Sequence, residues 1–119
     1  PTVIADVEPD SRLAQEEVFG PVLAVVPVGG FEEAIEVAND VRYGLVASIC
    51  TNRLDHAKAF AARADAGMVK VNQTTGFEKQ FPFGGWKESS TTTYREQGRE
   101  ALDFYTKDKT VYVSHFTPE

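Results

Sequence analysis

The sequence is poor in the residues that build metal sites and crosslinks. It holds one cysteine and two histidines in 119 residues. One cysteine excludes an internal disulfide, and with two histidines it falls short of the four ligands of an ordinary structural zinc site, so no metal is expected. A lone thiol also predicts a reducing, cytoplasmic setting. Positive charge is scarce: 12 Lys plus Arg stand against 18 Asp plus Glu, a net charge of −6. That balance argues against a nucleic-acid partner, which selects a basic face. No apolar run approaches the roughly 20 residues of a membrane helix, so no membrane partner is expected either. The chain has neither a Gly-x-Gly-x-x-Gly fingerprint nor a Gly-x-x-x-x-Gly-Lys loop, which removes the common phosphate-cradling motifs. No initiator Met or signal-like segment precedes Pro1-Thr2-Val3-Ile4, and Thr2 opens directly in strand-like sequence. A piece of a longer polypeptide is the expectation.

What is present is an ordinary globular composition, 42% hydrophobic and 25% charged, at a length that allows one domain. The apolar pattern changes period along the chain. Thr2 to Val7 reads as a short strand, and Asp10 or Ser11 as the cap of a helical turn over Arg12 to Gln15. Val22 to Val28 and Leu45 to Cys50 are nearly continuous apolar runs, as in strands covered on both faces of a parallel sheet. Between them Phe31, Ala34, Ile35 and Ala38 form one stripe of a helix over Phe31 to Asn39. Thr51 or Asn52 caps a further helix from Leu54 to Ala66, with Leu54, Ala57, Ala61 and Ala64 inward and Gly67 as its stop. Met68 to Val71 is a third strand, Arg95 to Tyr105 a last helix and the stretch near 109–113 a last strand. Strand, helix, strand, helix, strand predicts an α/β fold: a parallel-sheet layer with crossover helices. Gln73 to Thr93 is a long polar and aromatic loop, with conformational freedom expected at Gly76 and Gly84-Gly85.

Two places could carry chemistry. In extended backbone, Glu17 and Phe19 project to the same side. A carboxylate there suits the paired hydroxyls of a ribose, and a flat ring beside it suits the face of a nicotinamide. Two residues are a weak signal, and the spacing by itself favours the plainer reading, with Phe19 in the core and Glu17 solvated. The second place is Phe77, Phe81, Phe83 and Trp86, interleaved with Pro82, Gly84 and Gly85. Such side chains line a small-molecule funnel or pin the loop to the body; composition does not choose. Cys50, ending an apolar run, reads as a buried structural thiol. His56 reads as exposed on its helix. Glu96 reads as a first-turn helix residue or, more sharply, a proton relay.

The ordered segments Glu16-Glu17-Val18-Phe19-Gly20-Pro21-Val22, Ala34-Ile35-Glu36-Val37-Ala38-Asn39, Tyr43-Gly44-Leu45, Ala66-Gly67-Met68-Val69-Lys70-Val71-Asn72, Pro82-Phe83-Gly84-Gly85-Trp86-Lys87 and Arg95-Glu96-Gln97-Gly98 resemble the C-terminal quarter of the aldehyde dehydrogenase superfamily. The resemblance covers almost the whole chain. The stretch from Ser89-Ser90 to Gly98 is similar to the ketoglutarate-semialdehyde (2,5-dioxopentanoate) branch. The family oxidises aldehydes to carboxylic acids with NAD or NADP: a Cys thiolate attacks the aldehyde, hydride passes to the nicotinamide, and water hydrolyses the thioester. By that resemblance Glu17 holds the nicotinamide ribose, Phe19 packs on the nicotinamide, Phe77 and Phe83 wall the substrate tunnel, and Glu96 shuttles protons to the deacylating water. The strand near 109–113 adds to a partner subunit's sheet, giving a homo-oligomer.

The resemblance also implies what is missing. The family's nucleophile lies in a Gln-x-Cys segment upstream of the matched region, with the general-base Glu and the Rossmann cofactor domain. Cys50, in Ser48-Ile49-Cys50-Thr51, does not match it. Residues 1–119 are therefore expected to be a single C-terminal portion of a catalytic domain, inactive alone, with an apolar sheet edge and face left to pair with a copy or a partner. The alternative is a non-catalytic interaction or oligomerisation module of the same fold. The adenosine half that would separate NAD from NADP binds elsewhere.

Overall fold

Parallel strands can pair only across a crossover connection, and this chain makes two such crossovers. In the computed structural model, which describes residues 1–73, 76, 78–91 and 95–116, strand β1 (Thr2–Ile4) pairs in parallel with β2 (Val22–Ala24), from Thr2 opposite Val22 to Ile4 opposite Ala24. Helix α1 (Arg12–Gln15) lies between them in sequence. Strand β4 (Val46–Ile49) pairs in parallel with β5 (Met68–Val71) across helix α3 (Leu54–Arg63), from Val46 opposite Met68 to Ile49 opposite Val71. Helix α2 (Phe31–Asn39) joins the two units. The expected α/β class with parallel pairs and crossover helices is observed, as separate two-stranded sheets. The third pair was not legible in sequence: β3 (Tyr43–Gly44) runs antiparallel to β6 (Trp86–Lys87), inside the segment expected to be loop.

Local chemistry accounts for the helix ends. Ser11 caps α1: its Oγ accepts from the Ala14 N–H at 3.4 Å and donates to the Glu8 carbonyl at 2.7 Å. Helix α2 has the expected span, and Glu32 and Glu33 in its first turn suit the positive end of its dipole. Helix α3 stops at Arg63, short of Ala66, because Ala64 turns to extended backbone. Thr51 Oγ1 accepts from the Arg53 N–H at 3.1 Å just ahead of it. Arg53 grips Asp55, which with the His56 amide lowers the Asp55 carboxyl to a pKa of about 2.

The core is small. Ile35, 3% exposed, packs with Phe60 and Ala64, flanked by Phe31, Ala47, Ile49 and Val69. Fully burying such a side chain contributes about 1.5–3 kcal/mol. Of the residues expected inward along α3, Ala64 at its end is buried and Ala57 half-buried, but Leu54 and Ala61 are exposed and Phe60 takes the inward place instead. His56, expected exposed, stacks half-buried on Phe31 with ring centroids 4.0 Å apart. Much apolar surface stays open: Val3 is 68% exposed and Leu23 59%. Strands covered on both faces were expected, but β1 is exposed at every position and β4 at every second one, and two-stranded sheets are marginal alone. The radius of gyration is 20.9 Å, against about 13 Å for a compact chain of 100 residues.

The C-terminal part departs most from expectation. A 3-10 turn (Gly98–Glu100) leads into helix α4 (Ala101–Tyr105), so the helix begins well after Arg95. Gly98 has φ +67°, in the left-handed region, which breaks the spacing. Leu102 and Tyr105 are exposed. Residues 109–113 join no ladder among the described residues, and Val111, Tyr112 and Val113 are exposed. A strand needs a partner backbone, and no described segment pairs with it.

The end of α2 ties distant parts of the chain together. The last carbonyls of a helix have no partner within it. Here the Gln15 amide donates to the Asp40 carbonyl at 2.7 Å and to that of Pro9 at 2.8 Å. The Lys87 ammonium donates to the carbonyls of Asn39 at 2.6 Å and Val41 at 3.0 Å. The Asn39 side chain donates to the Arg63 carbonyl at 2.8 Å and accepts from the Asp65 N–H at 2.9 Å. So α1, β6 and the exit from α3 all fasten to residues 39–41. Asn39→Ala removes two of these bonds and is expected to lower unfolding free energy by about 1–3 kcal/mol, read by urea denaturation. An unchanged midpoint would contradict the role given to Asn39.

Candidate functional site

The site is built outward from that tie point. Beyond α1 the backbone is extended at Glu16, with φ −112° and ψ 141°. Arg12 holds Glu16 through both carboxylate oxygens, its closest contact 2.8 Å, and this holds the Glu16 carboxyl below its usual range. The Glu17 side chain makes no hydrogen bond or ion pair among the described residues. Phe19 is 92% exposed and sits at φ +53°. A bulky residue in the left-handed region is a true outlier, and such strain persists only where the surroundings enforce it. The plainer expectation for Phe19, a core position, is thereby overturned. The same-side argument from extended backbone also fails at Phe19, yet Glu17 and Phe19 still line one cavity of about 280 Å³, together with Leu13 and Val22.

That cavity adjoins a larger one. A space of about 620 Å³ shares Glu16 and Glu17 with it and runs past Tyr43, Gly44 and Leu45 to Glu88 and Ser89. A third space, about 280 Å³, takes over at Leu45, Glu88 and Ser89 and is lined by Phe83 and Glu96. Shared wall residues thus place the three spaces side by side from Glu17 to Phe83, as an interrupted groove. Phe83 and Glu96 meet directly, because the Glu96 N–H donates to the Phe83 carbonyl at 3.0 Å. Phe83 is half-buried and Glu96 exposed. Glu96 stands ahead of the 3-10 turn and not in the first turn of a helix as expected. Phe77 lies outside the described residues. Cys50 is exposed, not buried; alternation along β4 puts it on the open side with Val46 and Ser48.

The glycines between the two ends serve close approach, where freedom was expected of Gly84-Gly85. A side chain at Gly67 would overlap the Gly84 carbonyl, and one at Gly84 would meet the Arg95 guanidinium at 2.6 Å. Arg95 Nη1 donates to the Gly85 carbonyl at 2.7 Å. The Gly67 N–H donates to the Gly44 carbonyl at 2.9 Å, and the Gly44 N–H to Ser89 Oγ at 3.0 Å. Backbone is stacked on backbone from Gly44 through Gly67 to Gly84, and this fixes Phe83 and Ser89 against β3 and β5.

The sequence model described as the aldehyde dehydrogenase family matches residues 1–111. The chain belongs to the aldehyde dehydrogenase family. Among aldehyde dehydrogenases it is 59% identical over 116 residues to the alpha-ketoglutarate semialdehyde dehydrogenase of Haloferax volcanii, covering 97% of this chain and 24% of that one. It is 47% identical over 113 residues to the 2,5-dioxopentanoate dehydrogenase of Saccharolobus solfataricus, again covering 24% of the relative and 94% of this chain. In structure it is similar to an indole-3-acetaldehyde dehydrogenase of P. syringae solved with NAD+ and IAA, with TM-score 0.85 and 41% identity over 95% of this chain and 22% of that one. The chain therefore spans about a quarter of the length of the dehydrogenases it matches. Among the described residues no helix is long and apolar enough to cross a membrane.

Sequence reasoning missed Gln15, Asn39 and Lys87, the residues that hold this groove together. No spacing rule marks them, since Lys87 lies 48 positions from the carbonyl of Asn39. The stacked glycines allow a sharp prediction. Gly67→Ala is expected to displace the 82–89 segment and cost more than about 3 kcal/mol, the range of severe overpacking. A variant with unchanged stability and unchanged amide shifts at Gly84 to Ser89 would show that the backbones are not in contact.

Proposed function

We propose that this chain forms the nicotinamide-facing and substrate-facing part of an NAD(P)-dependent aldehyde dehydrogenase that oxidises an aldehyde to a carboxylic acid. Glu17 accepts from the hydroxyls of the nicotinamide ribose, and Phe19 lays its ring on the nicotinamide. Phe83, with Phe77, walls the substrate channel, and Glu96 passes protons to the water that releases the acid. The observation that carries this reading is Phe19: an aromatic side chain almost wholly exposed, on strained backbone, beside a carboxylate with no partner among the described residues. Solvent exposure of a large ring is unfavourable, and a flat ligand covering it removes that cost. When bound, the dinucleotide supplies the hydride acceptor; the chain's own residues orient it and shape the channel.

Identity to the Haloferax volcanii and Saccharolobus solfataricus enzymes supports 2-oxoglutarate semialdehyde as the aldehyde. The bare apolar faces and the share of the relatives covered support a partner: the remaining three quarters of a dehydrogenase subunit. Residues 109–113, exposed and without a ladder, supply an edge for a second subunit in a homo-oligomer. A cytoplasmic setting, resting on the free Cys50, belongs to the same reading.

The test is a graft. The 119-residue chain alone is expected to show no aldehyde turnover, since it brings no positioned thiolate for the nucleophilic step. Replacing the matching quarter of the Haloferax volcanii enzyme with this segment is expected to keep NADH production from 2-oxoglutarate semialdehyde. Glu17→Gln in the graft then lowers kcat/KM for the dinucleotide about 10- to 100-fold, the range for losing a charged hydrogen bond. A folded graft without activity would favour a non-catalytic module.

A further inference from the structure

Glu17 and the Phe83–Glu96 end of the groove are not in direct contact, so something must set their spacing. The segments that carry them are fastened to the same short stretch of backbone, residues 39–41. On one side Gln15, two residues before Glu17, gives both amide hydrogens away, to the carbonyls of Pro9 and Asp40. On the other, Lys87 reaches the carbonyls of Asn39 and Val41, with the Asp65 carboxylate 3.8 Å away. Lys87 holds φ +50° to do so, a conformation that a side chain disfavours unless its contacts repay it. It directly precedes Glu88 and Ser89, whose backbone N–H groups donate to the carbonyls of Arg42 and Trp86.

We propose that Gln15 and Lys87 are positioning residues: the carbonyls of residues 39–41, at and just past the end of α2, act as one anchor, with Gln15 holding the cofactor-side segment and Lys87 the substrate-side segment. Neither residue lines the three spaces of the site. Each acts through backbone carbonyls, so each loss is felt on its own side of the groove. The division into cofactor and substrate sides rests on the function proposed above; the shared anchor does not.

The experiment uses the grafted enzyme in three variants and two readouts. Gln15→Glu keeps the size of the side chain and removes its donors. Lys87→Met keeps the stem and removes the ammonium. Lys87→Arg keeps charge and donors. The expected kinetics are a roughly ten-fold rise in KM for NAD with Gln15→Glu and a roughly ten-fold rise in KM for the aldehyde with Lys87→Met, each with the other KM little changed. Lys87→Arg restores the aldehyde KM. Amide hydrogen exchange is read on the same proteins, active or not. It is expected to speed up at Glu16 and Val22 with Gln15→Glu, and at Glu88 and Glu96 with Lys87→Met. Equal changes on both sides in both variants, or no rescue by arginine, would overturn the proposal. An inactive wild-type graft in which exchange still divides by side would uphold the anchor and overturn the assignment of function instead.

Discussion

The unsatisfied carbonyls at the end of α2 are the constraint around which the described chain is organised. Every helix ends with acceptors that need donors, and water or a local turn usually supplies them. Here side chains from far along the sequence do so. Gln15 arrives from α1, Lys87 from β6, and Asn39 turns back to hold the exit of α3. A local need for hydrogen bonds thus becomes a tertiary joint. A cation at that position is also favoured by the negative end of the helix dipole.

From this joint the groove follows. Arg12 occupies Glu16 and leaves Glu17 open, while the stacked glycines at 44, 67 and 84 bring Phe83 and Ser89 close to β3 and β5. The groove is wide and unroofed, and apolar strand faces around it are bare. Those properties suit a segment that spans about a quarter of its relatives' length. They also explain how so small a core coexists with so much exposed valine and leucine.

Much of this was legible where the physics is local. The span of α2 followed from its apolar stripe and acidic first turn, and β5 from its branched residues, and both lie where expected. The parallel pairing followed from alternation of strand and helix. Legibility ended where distant backbone decides. Trp86–Lys87 could not be seen as a strand, because its partner is a dipeptide at Tyr43–Gly44, far back in the sequence. Gly84 looked like a hinge because sequence does not show which backbone it lies against. Gly98 cut short a helix whose spacing had continued through it. For the site, the pairing of Glu17 with Phe19 was in view, but not the left-handed backbone that turns the ring outward. The motif resemblance, and not composition, gave those two residues a chemical meaning.

A crystal structure of the grafted enzyme with NAD bound decides whether Glu17 and Phe19 hold the nicotinamide half of the dinucleotide. The account predicts the Glu17 carboxylate within hydrogen-bonding distance of the nicotinamide ribose hydroxyls, the Phe19 ring against the nicotinamide, and Gln15 and Lys87 both still on the carbonyls of residues 39–41. A bound dinucleotide whose ribose is held by other residues, with Glu17 in solvent and Phe19 packed away from it, would contradict the account.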